Sequence, residues 1–443
     1  MPPLRDIFIT GFIFWLVPYC YTQPWIGIIT WSWLTYMNPH KQTWGFARTM
    51  PFAMIVAIAV ILGVLTSRDK LRRALPMCRE TSLLIALCFD FTLTTILAWY
   101  PGDAWDLWFK LFKILLFTFL TLLYFQDRQR LRYLFLTIAL SIGFYGLKGG
   151  IWVFRSADPG GGAVMGPEGG ALLAGNNGIG LALCMTLPFI AFMAREEPRL
   201  WLRRILQAML IFSPIATVFT FSRTSILTLP VVLIMLFMRA RRRILGFFAL
   251  AIFAYGIMNF APERLFERAA SIQEHTDTSS KMRLESWYVA WRFALDHPLT
   301  GGGFWVLDHE PVYDMYLSEY IRAQSAHNIY LEVLADHGFP GLILYVSLIL
   351  SSYFSLFRLK WLLRNKPEAQ WLVNYCKMIQ ISLAAFIIGG TFLPMSYWDY
   401  FYHLVSFVIL LRAIAVKEGL LSPAAAVSPA PVALRTSVGM SRF

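Results

Sequence analysis

The chain has 443 residues, 57% of them hydrophobic and only 15% charged, against about 25% charged in ordinary soluble domains. That balance excludes a soluble globular enzyme, a disordered chain and a secreted disulfide scaffold, and indicates a membrane protein with many spans. The formal net charge is +13, but in a membrane protein such an excess collects in cytoplasmic loops, so it does not argue for nucleic-acid binding.

A spanning helix needs about 20 mostly apolar residues, because lipid offers the backbone no hydrogen-bond partner. In chain order the candidate spans are Ile7–Tyr21, Trp25–Met37, Met50–Thr66, Ser82–Ala98, Leu107–Phe125, Tyr133–Phe154 and Ala171–Met193. Then come Ile205–Phe221, Ser225–Met238, Ile244–Phe260, Gly338–Phe357, Leu372–Leu393 and Trp398–Val416. This predicts an all-α polytopic bundle of about 12 transmembrane helices, twelve or thirteen depending on whether residues 7–37 form two short spans or one span plus an interfacial piece. The segment Ile7–Tyr21 lacks a small-residue cleavage site and is expected to stay on the protein.

The loops alternate in charge. Ser67–Glu80 holds five Lys/Arg, Gln126–Arg132 three, and Arg195–Arg204, Arg239–Arg243 and Arg358–Glu368 four each, whereas Trp99–Asp106, Arg155–Gly170 and Pro394–Tyr397 have almost none. The positive-inside rule makes the basic loops cytoplasmic and the others external. On the external side falls the one long hydrophilic stretch, the 66 residues Ala261–Ala326. Loops of that length are usually functional, and this one is expected to be mostly helical. The regions read as 1–132, an N-terminal membrane region; 133–260, a central one; 261–337, an external loop ending in a short helix; 338–416, the C-terminal spans; and 417–443, a disordered cytoplasmic tail rich in Ala, Pro, Ser and Val.

Chemistry-bearing residues sit at the external ends. Asn176 and Asn177 open a span, where the amides either touch a sugar or headgroup or cap the helix. Ser222-Arg223-Thr224 occupies a very short turn between two spans. An arginine there is expensive unless paired or functional; its planar fork suits a pyrophosphate, or else it snorkels to lipid headgroups. Arg283, Trp287 and Trp291 fall at i, i+4 and i+8, one helix face, either aimed at a sugar phosphate or packed on the bundle. Asp296-His297-Pro298-Leu299-Thr300-Gly301-Gly302-Gly303 reads as a helix end followed by a Gly-rich loop, a close-approach loop for a ligand or a plain turn.

In Ser325-Ala326-His327-Asn328…Gly338-Phe339-Pro340-Gly341, Ser325 is the expected N-cap and Gly338 the residue ending the helix. His327 then lies in the first turn, where the helix N-terminus disfavours imidazolium and attracts anions, which suits a neutral general base beside a phosphate; a surface histidine at a helix start is the plain alternative. His337, about 15 Å further along a straight helix, is read as structural. The acidic residues Asp308, Glu310, Asp314 and Glu319 have no metal-site spacing, and neither do the five cysteines, so no metal and no disulfide is expected.

His327-Asn328, nine residues, Gly338, two residues, Gly341 resembles the signature of bacterial O-antigen ligases and the related O-antigen polymerases. The Asn176-Asn177 span, Ser222-Arg223-Thr224, Arg283-x-x-x-Trp287 and the Gly301–Gly303 loop agree with that family in order, over about residues 140–415. Met37-Asn38-Pro39-His40-x-x-x-Trp44-Gly45-Phe46 is similar to the N-terminal region of O-glycosylation ligases found beside exosortase systems. The resemblance implies transfer of an O-antigen glycan from an undecaprenyl-pyrophosphate-linked donor to a sugar hydroxyl of a lipid A-core acceptor. It places the reaction at the periplasmic face of the bacterial inner membrane, without nucleotide, nucleic acid or other cofactor. It implies His327 as base and Arg223 and Arg283 on the pyrophosphate, with Arg322, Asn328, Trp287 and Asn176 binding substrate. A protein O-oligosaccharyltransferase or a polymerase would share this donor chemistry. A lipid-linked sugar transporter would need ionisable or broken-helix features at mid-membrane, often in repeated halves; the spans are nearly free of charge.

Overall fold

In a computed structural model, residues 4–66, 74–156, 162–167, 173–239, 278–318 and 322–422 are described, with Gly246, Phe248, Ala251 and Tyr255. The helices are α1 (Leu4–Thr22), α2 (Pro24–Met37), α3 (Phe52–Thr66), α4 (Arg79–Ile96), α5 (Pro101–Tyr124), α6 (Arg128–Arg155) and α7 (Asn176–Glu196). They continue with α8 (Leu200–Val218), α9 (Arg223–Met238), α10 (Thr278–Asp296), the short α11 (Glu310–Asp314), α12 (Ile329–Leu363), α13 (Gln370–Gly390) and α14 (Asp399–Lys417). There is no strand among the described residues. Among the described residues seven helices are both long and apolar enough to cross a membrane, and α3 and α9 are shorter apolar ones. The fold is an all-α polytopic membrane bundle.

Every predicted span falls on a helix except Ile244–Phe260, which lies almost wholly outside the described residues, as do residues 261–277 and the tail beyond Ser422. Residues 7–37 form two helices, broken at Gln23, with Pro24 supplying the fixed φ that opens α2. Gly27 lies against Cys20, so α1 and α2 fold back on each other.

The basic segments meet at one end of the bundle. Arg132 pairs with Glu197 at 2.6 Å, Arg128 lies over the Trp371 ring, Lys417 donates to Gln126 O and Arg239 to Lys377 O. There too Glu80, fully buried, accepts from Ser351 and Ser355 of α12 and pairs with Arg412 of α14 at 3.2 Å. A buried carboxylate is tolerated only with such a set of donors.

The opposite end holds the loop that follows α10. Here Val289 and Phe293 of α10, Val306, Tyr313 and Ala326 of the loop, and Ala335 of α12 form a small core of their own. Burying a side chain the size of Phe293 contributes about 1.5–3 kcal/mol, which is what holds this loop to the bundle. Within the Ala261–Ala326 stretch the described residues are mostly helical, in α10, a 3₁₀ turn at Val306–Asp308 and the five residues of α11.

Helix α12 is broken at Gly338, whose φ of 66° and ψ of −168° interrupt it, and Pro340 then opens the second segment. The break frees the carbonyls of the first segment, and the Gly-rich loop takes them up: Gly302 N donates to Ala335 O (3.0 Å) and Gly303 N to Asp336 O (2.9 Å), while Phe339 N donates to Pro298 O (2.8 Å). A Cβ on Gly301 would stand 2.3 Å from Ala335 O, and one on Gly338 would stand 2.6 Å from Pro298 O. Such a φ/ψ pair is essentially confined to glycine and costs about 1–3 kcal/mol for another residue. Gly338→Ala is therefore expected to lower stability by about that much, read as a fall in the thermal unfolding midpoint of the full-length protein in detergent; an unchanged midpoint refutes the interlock.

Candidate active site

The N-cap of α12 is Asn328, not Ser325: Asn328 Oδ1 accepts from Tyr330 N (2.9 Å) and Leu331 N (3.3 Å). The helix therefore starts two residues after His327, and His327 precedes it rather than sitting in its first turn. Asn328 is buried and its Oδ1 is spent on capping, so any contact with substrate falls to its Nδ2.

His327 adopts φ of 48°, in the left-handed region, which a non-glycine residue adopts only where its surroundings hold it there. Its ring is half-buried, and Nδ1 is buried with no hydrogen-bond partner among the described residues. Burial, and then the positive charge of Arg283, lower its pKa from 6.5 to about 4. The imidazole is thus neutral at physiological pH, as the sequence predicted, but the leading cause is desolvation, not the helix N-terminus.

His337 is of another kind. It is fully buried; Nδ1 lies 2.6 Å from Thr94 Oγ1 of α4 and Nε2 lies 3.0 Å from the Tyr397 hydroxyl. Tyr397 in turn donates to Asp336 Oδ2 at 2.7 Å, and Phe91 and Phe304 pack on the ring. Both its nitrogens are occupied, so the network ties α4, α12 and the α13–α14 turn together beneath the loop. Sequence reading missed Thr94, Asp336 and Tyr397; they are far apart along the chain, and the only signal was the polar pair Ser396-Tyr397 between two apolar spans.

Arg283 and Trp287 face His327. Trp287 Nε1 donates to Ala326 O at 2.7 Å, and one turn on Trp291 meets the Phe339 ring at 6.1 Å. The i, i+4, i+8 face of α10 therefore lies along the segment from Ala326 to the break, which brings the charge of Arg283 to bear on His327. Arg322, five residues before His327, is exposed.

Arg223 is the first residue of α9, and Ser222 caps that helix, accepting from Ser225 N at 3.4 Å. Phe221 before it has φ of 52°, a strained value for a bulky side chain. Asn176 Nδ2 donates to Thr220 O at 3.0 Å, tying the start of α7 to this turn. Side-chain-free glycines then link the turn to the histidine segment: Gly180 against Thr220 and Ser225, Gly389 of α13 against Leu181 of α7, and Gly390 against Ile329. Close helix approach through small residues is how membrane bundles pack without a hydrophobic drive. Arg223, Asn176, Arg283, Trp287 and His327 thus occupy the same end of the bundle, opposite the basic end.

Among the described residues no group of three or more His, Cys, Asp or Glu is arranged to hold a metal. Asp308 ends the 3₁₀ turn, Glu310 and Asp314 are the two ends of α11, and Glu319 lies outside the described residues.

Residues 208–346, from within α8 to about two turns beyond the Gly338 break, match the family model described as O-antigen ligase. Residues 4–198 match a family of unknown function (DUF5935). No curated protein matches the chain. The O-antigen ligase match supports a multi-pass membrane protein of a ligase/polymerase-type glycosyltransferase family, a family that implies lipid-linked glycan substrates.

Proposed function

We propose that the protein ligates an O-antigen glycan from undecaprenyl pyrophosphate onto a sugar hydroxyl of the lipid A core, at the periplasmic face of the bacterial inner membrane. One observation carries this reading: His327 keeps an unsatisfied buried ring nitrogen beside Arg283 in a strained backbone segment, whereas the fully satisfied His337 has no capacity to spare. Unpaired buried polar atoms are rare and call for a role.

His327 takes the proton of the acceptor hydroxyl as its oxygen attacks C1 of the donor sugar. The C1–oxygen bond to the pyrophosphate breaks, the configuration at C1 inverts, and undecaprenyl pyrophosphate leaves as an anion. Arg223 and Arg283 hold that anion and stabilise the charge developing on it. Arg322, Trp287, Asn176 and Asn328 line the approach of the sugars.

The opposite, basic end of the bundle supports a cytoplasmic assignment for that face under the positive-inside rule, which leaves the histidine end to the periplasm. A protein acceptor is the second reading, favoured by the likeness of Met37–Phe46 to ligases found beside exosortase systems. The lipopolysaccharide profile of a deletion strain separates the readings. Loss of the whole ladder is the expected result. A single remaining unit would mean a polymerase, and an unchanged ladder with a lost glycoprotein would mean a protein acceptor.

Because the arginines supply the positive charge, purified protein in excess chelator is expected to keep its transfer rate. Abolition by chelator with rescue by magnesium would bring Asp308, Glu310 and Asp314 into the reaction.

A further inference from the structure

At the basic end, a groove of about 640 Å³ opens between α2, α6 and α8, within the ~300–1,000 Å³ range of small-molecule sites. Its composition changes along its length. On α6, Arg132, Leu136 and Leu140 follow at i, i+4 and i+8, so one face runs from charge to hydrocarbon over about 12 Å of helix axis. On α8, Arg199 precedes Trp201 and Ile205 in the same sense, both of the latter exposed.

The mouth is held open by its own ion pair. Arg132 is paired to the buried Glu197 at 2.6 Å, and Glu197 also accepts from Arg199 N at 3.1 Å, so one carboxylate fixes both positions. The Arg199 side chain remains exposed, and Arg130 lies 5.3 Å over the ring of Trp25, which also lines the groove. Arg130 is paired with Asp127 at 3.2 Å and Arg132 with Glu197, so the positive charge left at the mouth is that of the exposed Arg199.

We propose that this groove binds one acidic glycerophospholipid, its phosphate against Arg199 and its acyl chain lying along Leu136, Leu140 and Ile205. Three features select that ligand. The charge at the mouth complements a phosphate headgroup. The aromatic rings of Trp25 and Trp201 stand where interfacial aromatics anchor a span. The apolar floor runs parallel to the helices, as an acyl chain in a bilayer does. Basic pockets between spans on the cytoplasmic side are recognised sites for anionic lipids. The site lies at the opposite end from His327, so it is independent of the glycan-transfer reading.

Full-length protein, reconstituted with equimolar phosphatidylglycerol and phosphatidylethanolamine of identical acyl chains, tests this by native mass spectrometry of retained lipid. The wild type is expected to keep phosphatidylglycerol at least about tenfold in excess, the charge-assisted contact being worth about 1.4 kcal/mol or more. Arg199→Glu should abolish the preference, and Ile205→Trp, which fills the floor at an exposed position, should lower retention of both lipids. Helix content by circular dichroism confirms that the variants are folded. Equal retention by the wild type, an unaltered preference in Arg199→Glu, or displacement of phosphatidylglycerol by a lower concentration of a long-chain polyprenyl phosphate would each overturn the proposal.

Discussion

His327→Ala is expected to lose glycan transfer by about 10²–10⁴-fold, the usual contribution of a positioned general base, while still binding the lipid-linked donor through Arg223 and Arg283. His337→Ala should behave differently. It removes a ring whose two nitrogens serve Thr94 and Tyr397 in a buried network, so its effect is on the amount and stability of folded protein. The comparison is transfer by the two purified variants, normalised to folded protein. The pH profile adds a second check. Burial and Arg283 hold the His327 pKa at about 4, so the base form is complete at neutral pH and is lost only as pH falls through that value. Transfer by the wild type should therefore stay level from about pH 8 to pH 5 and drop below it. The same shift has a stability consequence with a definite sign. Above the unfolded value of 6.5 both states leave the ring neutral; below it the unfolded chain takes up a proton that the folded one refuses, so folding is weakened as pH falls from about 6.5 toward 4. Robust transfer without His327 would mean that the acceptor hydroxyl is activated by another group.

Much of this architecture was legible in the sequence because its signals are local. Apolar runs of sufficient length give the spans, and loop charge places the basic residues at one end, where Arg128, Arg132, Arg239 and Lys417 are found. The Gly338-x-Pro340 pair marked the helix break, and the i, i+4 spacing of Arg283 and Trp287 put both on the face toward Ala326 and His327. What failed to show was decided in three dimensions. Ser325 and Asn328 are both good N-cap residues, and the choice depends on which one reaches two free amides; Asn328 does. The glycines at 301–303 read as either a close-approach loop or a plain turn; the amides of Gly302 and Gly303 close the carbonyls opened by the Gly338 break, a pairing no local pattern announces. The Asp336–Tyr397–His337–Thr94 network includes a direct contact between residues 243 positions apart, Thr94 and His337. The neutral state of His327 was anticipated for the wrong reason, since its leading cause is the solvent that tertiary packing removes.

Arg283→Lys and Arg223→Lys are expected to lower transfer by about 10² or more, the scale seen when one preorganised donor to a developing negative charge is removed, with normal protein levels. The lysine variants are chosen because they separate charge from geometry. Lysine keeps the positive charge that Arg283 exerts on His327, so the base stays as weakly basic as before and the pH profile should not move. What is lost is the planar fork that grips two phosphate oxygens at once, which a single ammonium cannot replace. Arg283→Gln removes the charge as well; the acidic limb of its profile should then shift toward higher pH, because only burial remains to hold the imidazole neutral. Burial and Arg283 are the causes that set the His327 pKa. Arg223→Gln should therefore lower the rate without moving the limb. That asymmetry, if observed, would assign Arg283 to both the leaving pyrophosphate and the base, and Arg223 to the pyrophosphate alone. Unimpaired turnover in both lysine variants would take the two arginines out of the site and leave His327 without an anion partner, whereas a limb that moves with Arg223→Gln but not with Arg283→Gln would reverse their roles.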